Sequence, residues 1–461
     1  MATFRKIEVD TEMARNSLMK LKRILSKEIP VEKGVKEGLR SWDKLGEDQL
    51  QLHRIDNFEL KVPAKKGKKG EPGESARLEV ITRDAVVVKD ISKMLDFVRE
   101  QRSMEEEKTV LRISIDSGGG SLMVLGSIFH EDEKPEQKGA LNTGVNKVIL
   151  LAYVEDLQES WVNLRILMEL LQLHKVKYIL AADLKLINII LGISSHSGKF
   201  ACFSCYGEAL LIPGPPRTYQ NLADMYQAYS EAKFPKARMS QFFNVIKPCL
   251  VNPTNLSSKV GDVIPIPQLH SHIGVGNWGW DWVKRVIGEG RYRELVKWAS
   301  KRSISIRGYH GSGIDGNNCK NFFKASKDLH LLLGPETAAP VRDMLEKFDE
   351  VTKACFSREL RSDWRFVLEE FITSVWELIS YSKFILNIKI SVTWKIHLIV
   401  THLKPFLERT GRGMAQYSEQ TGESGHYKVG KEMSRFKREL DNPNYGEKVL
   451  SGARRFNNKR F

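Results

Sequence analysis

The sequence predicts an α/β protein, in which a mixed β-sheet with helices packed on it is interrupted by a large α-helical insertion. Three observations carry that prediction. Apolar strand-length runs recur between residues 109 and 183, with one amphipathic helix among them. From residue 219 to 390 the apolar spacing is helical and strand signals nearly vanish. The chain has 461 residues, 41% of them hydrophobic and 9% aromatic, which is enough for a substantial core.

Residues 1–62 read as a basic, mostly helical N-terminal region, because "NSLMKLKRIL" sets Leu18, Leu21 and Leu25 along one stripe beside Lys20, Lys22 and Arg23. Residues 63–76, "PAKKGKKGEPGESA", are too rich in Lys, Gly and Pro to pack a core and read as a linker or loop. Residues 77–218 form the sheet portion. Within it "TVLRISID" is a strand ending at Asp116, and "SLMVLGSIF" and "NKVILLAYV" are two more. "EDLQESWVNLRILMELLQL" is helical through Trp161, Leu164, Leu167 and Leu171, and "KVKYILAAD" is a further strand ending at Asp183. Three strands, a helix and a strand fit a mixed sheet covered by helices. Residues 219–390 are the insertion, residues 391–440 hold a histidine pair and a glutamate-bearing helix, and residues 441–461 read as a basic, loosely ordered tail.

The formal net charge of +15 favours a polyanionic partner. Five cysteines without a disulfide-like spacing predict a reducing, intracellular setting. "MATFRKIEVD" lacks an apolar signal core, and runs such as "VILLAYV" are strand-sized rather than membrane-spanning, so no membrane partner is expected.

Three constellations carry chemistry. Cys202 and Cys205 form a C-x-x-C pair, half of a tetrahedral zinc site. "TWKIHLIVTHLKPF" offers His397 and His402 as the other half, since thiolate and imidazole both suit zinc. The alternative for each histidine is an ordinary, partly buried side chain; His196, His270 and His272 are spare candidates, and His196 competes as a ligand by its place six residues before Cys202. The second constellation is Asp116 and Asp183. Each sits at a strand's carboxyl end, where sheet enzymes bind ligands, and two such carboxylates suit Mg²⁺. The alternative is that each Asp starts a turn, and "DSGGGS" also permits a phosphate-binding loop of the sugar-kinase or actin type. In the third, "YSEQTGESGHYK", Glu419 and Glu423 lie one helical turn apart. Such a pair is often a solvated face, but Gly422 and Gly425 lower helix propensity there.

In order and spacing these residues resemble the catalytic core of the V(D)J recombination-activating recombinase and the related Transib-type cut-and-paste transposases. The resemblance runs over roughly residues 109–440: Asp116 in "SIDSGGGSL", Asp183 in "ADLKL", Cys202 and Cys205, "PQLHSHIGVGNW", His397 and His402, then Glu423 in "SEQTGES". It implies a ribonuclease-H-like fold in which Asp116, Asp183 and Glu423 bind catalytic Mg²⁺ (or Mn²⁺). Glu419 is the alternative third carboxylate. A structural Zn²⁺ on Cys202, Cys205, His397 and His402 would join distant segments of the chain. The implied activity is a DDE-type transposase or recombinase that nicks DNA and transfers strands. The implied partners are duplex DNA, at the ends of a mobile element, and further copies of the chain, in the nucleus. "DSGGGS" is more glycine-rich than the family's turn, and residues before 109 show no DNA-binding motif of the family's kind. Two other readings remain open at this point: a host-adopted, inactive nuclear DNA- or protein-binding derivative, and another ribonuclease-H-like nuclease.

Overall fold

The structure is a computed structural model. It describes residues 47–62, 77–117, 120–130, 144–194, 199–208, 211–233, 236–251, 256, 258–306, 313–435, 440 and 442–461. The linker at 63–76, the helical stripe at Leu18–Leu25 and His196 lie outside the described residues.

In chain order the strands and helices begin with β1 (Leu50–Val62), β2 (Arg77–Val88) and α1 (Ile91–Arg102). β3 (Thr109–Asp116), β4 (Ser121–His130), β5 (Ile149–Glu155), α2 (Trp161–Leu171) and β6 (Tyr178–Ala181) follow. Next come α3 (Leu184–Ile190), α4 (Tyr219–Glu231), α5 (Gln268–Ile287), α6 (Tyr292–Ser300) and α7 (Gly316–Ala325). Two long helices, α8 (Pro335–Cys355) and α9 (Trp364–Phe384), lead to α10 (Trp394–His397), a π turn (Leu398–His402) and α11 (Leu403–Thr410). The chain closes on α12 (Gln420–Met433) and α13 (Tyr445–Asn458). The chain is thus α/β, with the expected succession of three strands, a helix and a strand realised as β3, β4, β5, α2 and β6.

Two compact units divide it. The described residues up to Val176, together with 422–461, form the first; Lys177–Thr421 form the second. The expected sheet portion, drawn to residue 218, therefore parts company with its own C-x-x-C pair, which belongs to the second unit.

In the first unit, strands run antiparallel in the order β1-β2-β5-β4-β3. β4 is buried at every position before His130, as expected of a central strand covered on both faces. β1 corrects the sequence reading: residues 50–62 are a strand, not part of a helical region. Its alternation is broken where the register shifts between Ile55 and Phe58, so a period of two never runs long enough to be read. Asn163, fully buried on α2, fits the edge of β1, accepting from Glu59 N–H at 2.8 Å and donating to its carbonyl at 2.8 Å.

The expected loose tail is a second correction. Residues 445–458 are the helix α13, with Tyr445, Val449, Leu450, Ala453 and Phe456 buried. The pairing of β2 with β5 covers only Ala85–Val87 against Ala152–Val154. Behind that point Asn457 takes over: its Oδ1 accepts from Leu150 N–H at 2.6 Å and its Nδ2 donates to the Leu150 carbonyl at 2.9 Å. One side-chain amide thus does for β5 what a neighbouring strand would do.

The second unit opens with β6 and is otherwise helical, as the period of 219–390 predicts. Long helices α5, α8 and α9 form its centre, where Trp280 is fully buried and Trp282 donates its indole N–H to Ser382 Oγ at 2.7 Å. Among the described residues no helix is long and apolar enough to cross a membrane.

Candidate functional site

Cys202 and Cys205 lie on a loop folded back on residues 215–217. Tyr206 N–H donates to the Pro215 carbonyl at 2.9 Å, Arg217 N–H donates to the Ser204 carbonyl at 2.9 Å, and Cys205 bridges Pro216. The two histidines present a geometric problem that the structure solves. On an α-helix, residues five apart point about 140° away from one another. Here Leu398–His402 is a π turn, which fits roughly one more residue into the turn and brings His402 round to the face of His397. Sequence supplies a cause: Pro405 has no N–H, and its ring crowds the carbonyl four residues back, at Thr401. The Thr401 hydroxyl also donates to the His397 carbonyl at 2.6 Å.

All four ligand atoms then lie within 4.8 Å of one another. Cys202 Sγ is 3.5 Å from His402 Nε2, and Cys205 Sγ is 3.4 Å from His397 Nε2. A tetrahedron with zinc–sulfur and zinc–nitrogen bonds of ordinary length has mixed edges of about 3.6 Å, so the spacing suits that ion. Cys202, Cys205 and His397 are buried and His402 is partly exposed. Gly207 N–H donates to Cys205 Sγ at 3.3 Å. The thiols differ. A hydrogen bond from Cys202, then those from His397 and His402, hold the Cys205 thiol far below its ordinary range, whereas burial pushes Cys202 up. A cluster of two thiols and two imidazoles, one already inclined to thiolate, can hold a metal such as zinc. His270 and His272 are not part of it.

The acidic residues fall in different units. Asp116 is the last residue of β3, half-buried and paired in register with Met123. Glu423 lies in the first turn of α12. That helix sits close on the sheet because its buried face carries glycines: a methyl group on Gly422 would overlap the Ser114 side chain, and one on Gly425 would come 2.8 Å from Leu125 Cδ1. Gly422 and Gly425, read from sequence as weakening a charged helix, are the seats on which the helix rests. Asp183, in the second unit, caps α3 by accepting from Leu186 N–H at 2.6 Å. Beside it Lys395 is largely buried; burial pushes its ammonium down, and the Asp183 carboxylate opposes that shift.

Glu419 is otherwise engaged. It is buried at 3% exposure and accepts from Gln268 N–H at 2.9 Å, His270 N–H at 3.1 Å and His270 Nδ1 at 3.2 Å. Those amides open α5, whose own N-cap is Pro267 and supplies no side-chain acceptor. Glu419 is therefore the cap of α5.

Two residues escaped the sequence reading. Glu159 Oε1 accepts from the Ser117 backbone N–H at 3.3 Å and hydroxyl at 3.0 Å, tying the turn after Asp116 to the segment before α2. Arg217 is fully buried behind the C-x-x-C loop. Neither stands in a motif, and only the tertiary fold reveals them.

A family model described as a domain of unknown function, DUF8703, matches residues 80–210. The matched stretch contains Asp116, Asp183, Cys202 and Cys205, and stops before the histidine pair and Glu423. No curated protein matches the chain.

Proposed function

We propose that this chain is a DDE-type transposase or recombinase-like enzyme on a ribonuclease-H-like fold, cutting and joining duplex DNA. The observation that carries the reading is the seating of Gly422 on Ser114, which sets Glu423 beside the strand whose final residue is Asp116. The antiparallel succession β3-β4-β5, with an acidic residue closing β3, supports the same fold. Asp116, Glu423 and Asp183 offer carboxylate oxygens, the donor type that hard divalent cations take. Mg²⁺ held there would activate water or a 3′-hydroxyl and stabilise the leaving oxygen of an in-line displacement. The protein's own part is to fix the carboxylates on rigid elements: Asp116 by strand pairing, Asp183 by its cap on α3, Glu423 by the glycine-seated helix. Cys202, Cys205, His397 and His402 would hold a structural zinc, since four protein ligands leave no position for water. The net charge of +15 supplies phosphate contacts independent of sequence, so duplex affinity should fall steeply with salt.

The test is nicking of supercoiled plasmid with and without Mg²⁺ or Mn²⁺. Wild-type protein should nick only with the metal, and Asp116→Asn, Asp183→Asn and Glu423→Gln should each abolish nicking while keeping fold and zinc. Metal-independent cleavage, or full activity in Asp116→Asn, would overturn the assignment. Wild-type protein that binds duplex DNA and never nicks it would favour a binding protein on the same fold.

A further inference from the structure

We propose that Arg217 is the positioning residue of the metal centre, holding the C-x-x-C loop in its ligating shape before any metal binds. The side chain is fully buried. Its Nε donates to the carbonyls of Cys202 at 2.8 Å and Cys205 at 3.2 Å, and its Nη2 donates to those of Phe200 at 2.8 Å and Phe243 at 3.2 Å. The guanidinium carbon lies 4.3 Å from the centre of the Tyr206 ring, which covers one face of the fork.

The peptide planes that follow Cys202 and Cys205 share one donor nitrogen, because the carbonyls of both ligand residues turn toward Nε. Fixing those planes fixes the directions in which the two thiol side chains leave the backbone. The backbone of Arg217 finishes the hold, its N–H donating to the Ser204 carbonyl at 2.9 Å and its carbonyl accepting from Val260 N–H at 2.9 Å. No metal and neither histidine takes part in any of these bonds. In an unfolded C-x-x-C segment the same carbonyls face water, and metal alone would have to gather the thiols. A planar fork of donors is needed to reach carbonyls set around it; the three donors of a lysine radiate from one point and cannot span them. Outer-shell groups of this kind typically change metal affinity about 10–100-fold.

The proposal rests on the four-ligand zinc reading, and its test separates the two. Zinc affinity is measured by competition with a chromophoric chelator on full-length wild-type protein and Arg217→Lys, and both are reconstituted with cobalt(II). Arg217→Lys should bind zinc about 10–100-fold more weakly, with reduced thiolate-to-cobalt charge-transfer intensity, while far-ultraviolet circular dichroism stays unchanged. Equal affinity and identical cobalt spectra would overturn the proposal alone. Wild-type protein that takes up no zinc would overturn the four-ligand reading and the proposal with it. Should Arg217→Lys fail to fold, hydrogen exchange on zinc-free wild-type protein decides the matter. The amides of Tyr206 and Arg217, bonded across the loop, should be protected without metal; exchange that is fast until zinc is added overturns the proposal.

Discussion

Replacing Glu419 by alanine should destabilise the second unit severely and leave the chemistry of each folded molecule intact. The carboxylate is 3% exposed, and its two oxygens serve two backbone N–H groups and one imidazole nitrogen. Removing it leaves two partly buried amides at the start of α5 without an acceptor, at about 1–3 kcal/mol each. The favourable meeting of a negative charge with the helix N-terminus is lost too, worth about 0.3–1 kcal/mol and more when desolvated. The sum is about 2–7 kcal/mol. Glu419→Gln keeps one acceptor oxygen but turns an amide N–H toward a donor, so its loss should be intermediate. Urea unfolding followed by tryptophan fluorescence and by circular dichroism measures both variants, with Mg²⁺-dependent nicking normalised to folded protein beside it. A loss under about 1 kcal/mol for Glu419→Ala would refute the capping account. Abolished nicking in well-folded Glu419→Gln would instead return Glu419 to the catalytic set.

Three further outcomes are expected. Cys205→Ser and His402→Ala should each lose stoichiometric zinc, measured by atomic absorption, and lower the melting temperature, because metal binding at a site that exists only in the fold is itself folding free energy. Asn457→Ala should cost about 2–4 kcal/mol in urea unfolding, since it strands the buried N–H and carbonyl of Leu150 together. His426 on α12 is buried, and burial alone pushes its imidazole down to about 4. The folded state therefore favours the neutral ring. Its stability contribution is whole above about pH 6.5 and is lost as pH falls through about 4, by about 3 kcal/mol in all. His426→Phe should flatten that part of the stability profile in urea titrations at about pH 7 and about pH 4.5.

What could be read from the residues beforehand follows a physical line. β3, β4, β5, α2 and β6 were legible because continuous apolar runs of strand length and a clean helical stripe need no tertiary knowledge. β1 and β2 were hidden. A register shift interrupts one, and the other carries exposed Leu78 and Val80 at one end and buried Ala85–Val88 at the other. α13 has a regular apolar stripe from Tyr445 to Phe456, masked by the basic residues around it. The four residues of the Cys/His cluster could be picked by side-chain chemistry, but the π turn that aligns the histidines could not, because on an ordinary helix their spacing argues against a shared face. Glu419 and Glu423 were interchangeable in sequence; only burial and partners separate the cap of α5 from the carboxylate beside β3.

The order of the Cys/His cluster along the chain has a consequence for the protein while it is being made. His397 is 192 residues beyond Cys205. At synthesis rates of about 5–20 residues per second, the thiols are made about 10–40 s before the first histidine. Arg217 follows Cys205 by only 12 residues, and the carbonyls it binds at Phe200, Cys202 and Cys205 all precede it. The half of the centre made first can therefore close on its own guanidinium during translation, with its thiols already set side by side when the helix bearing the histidines arrives.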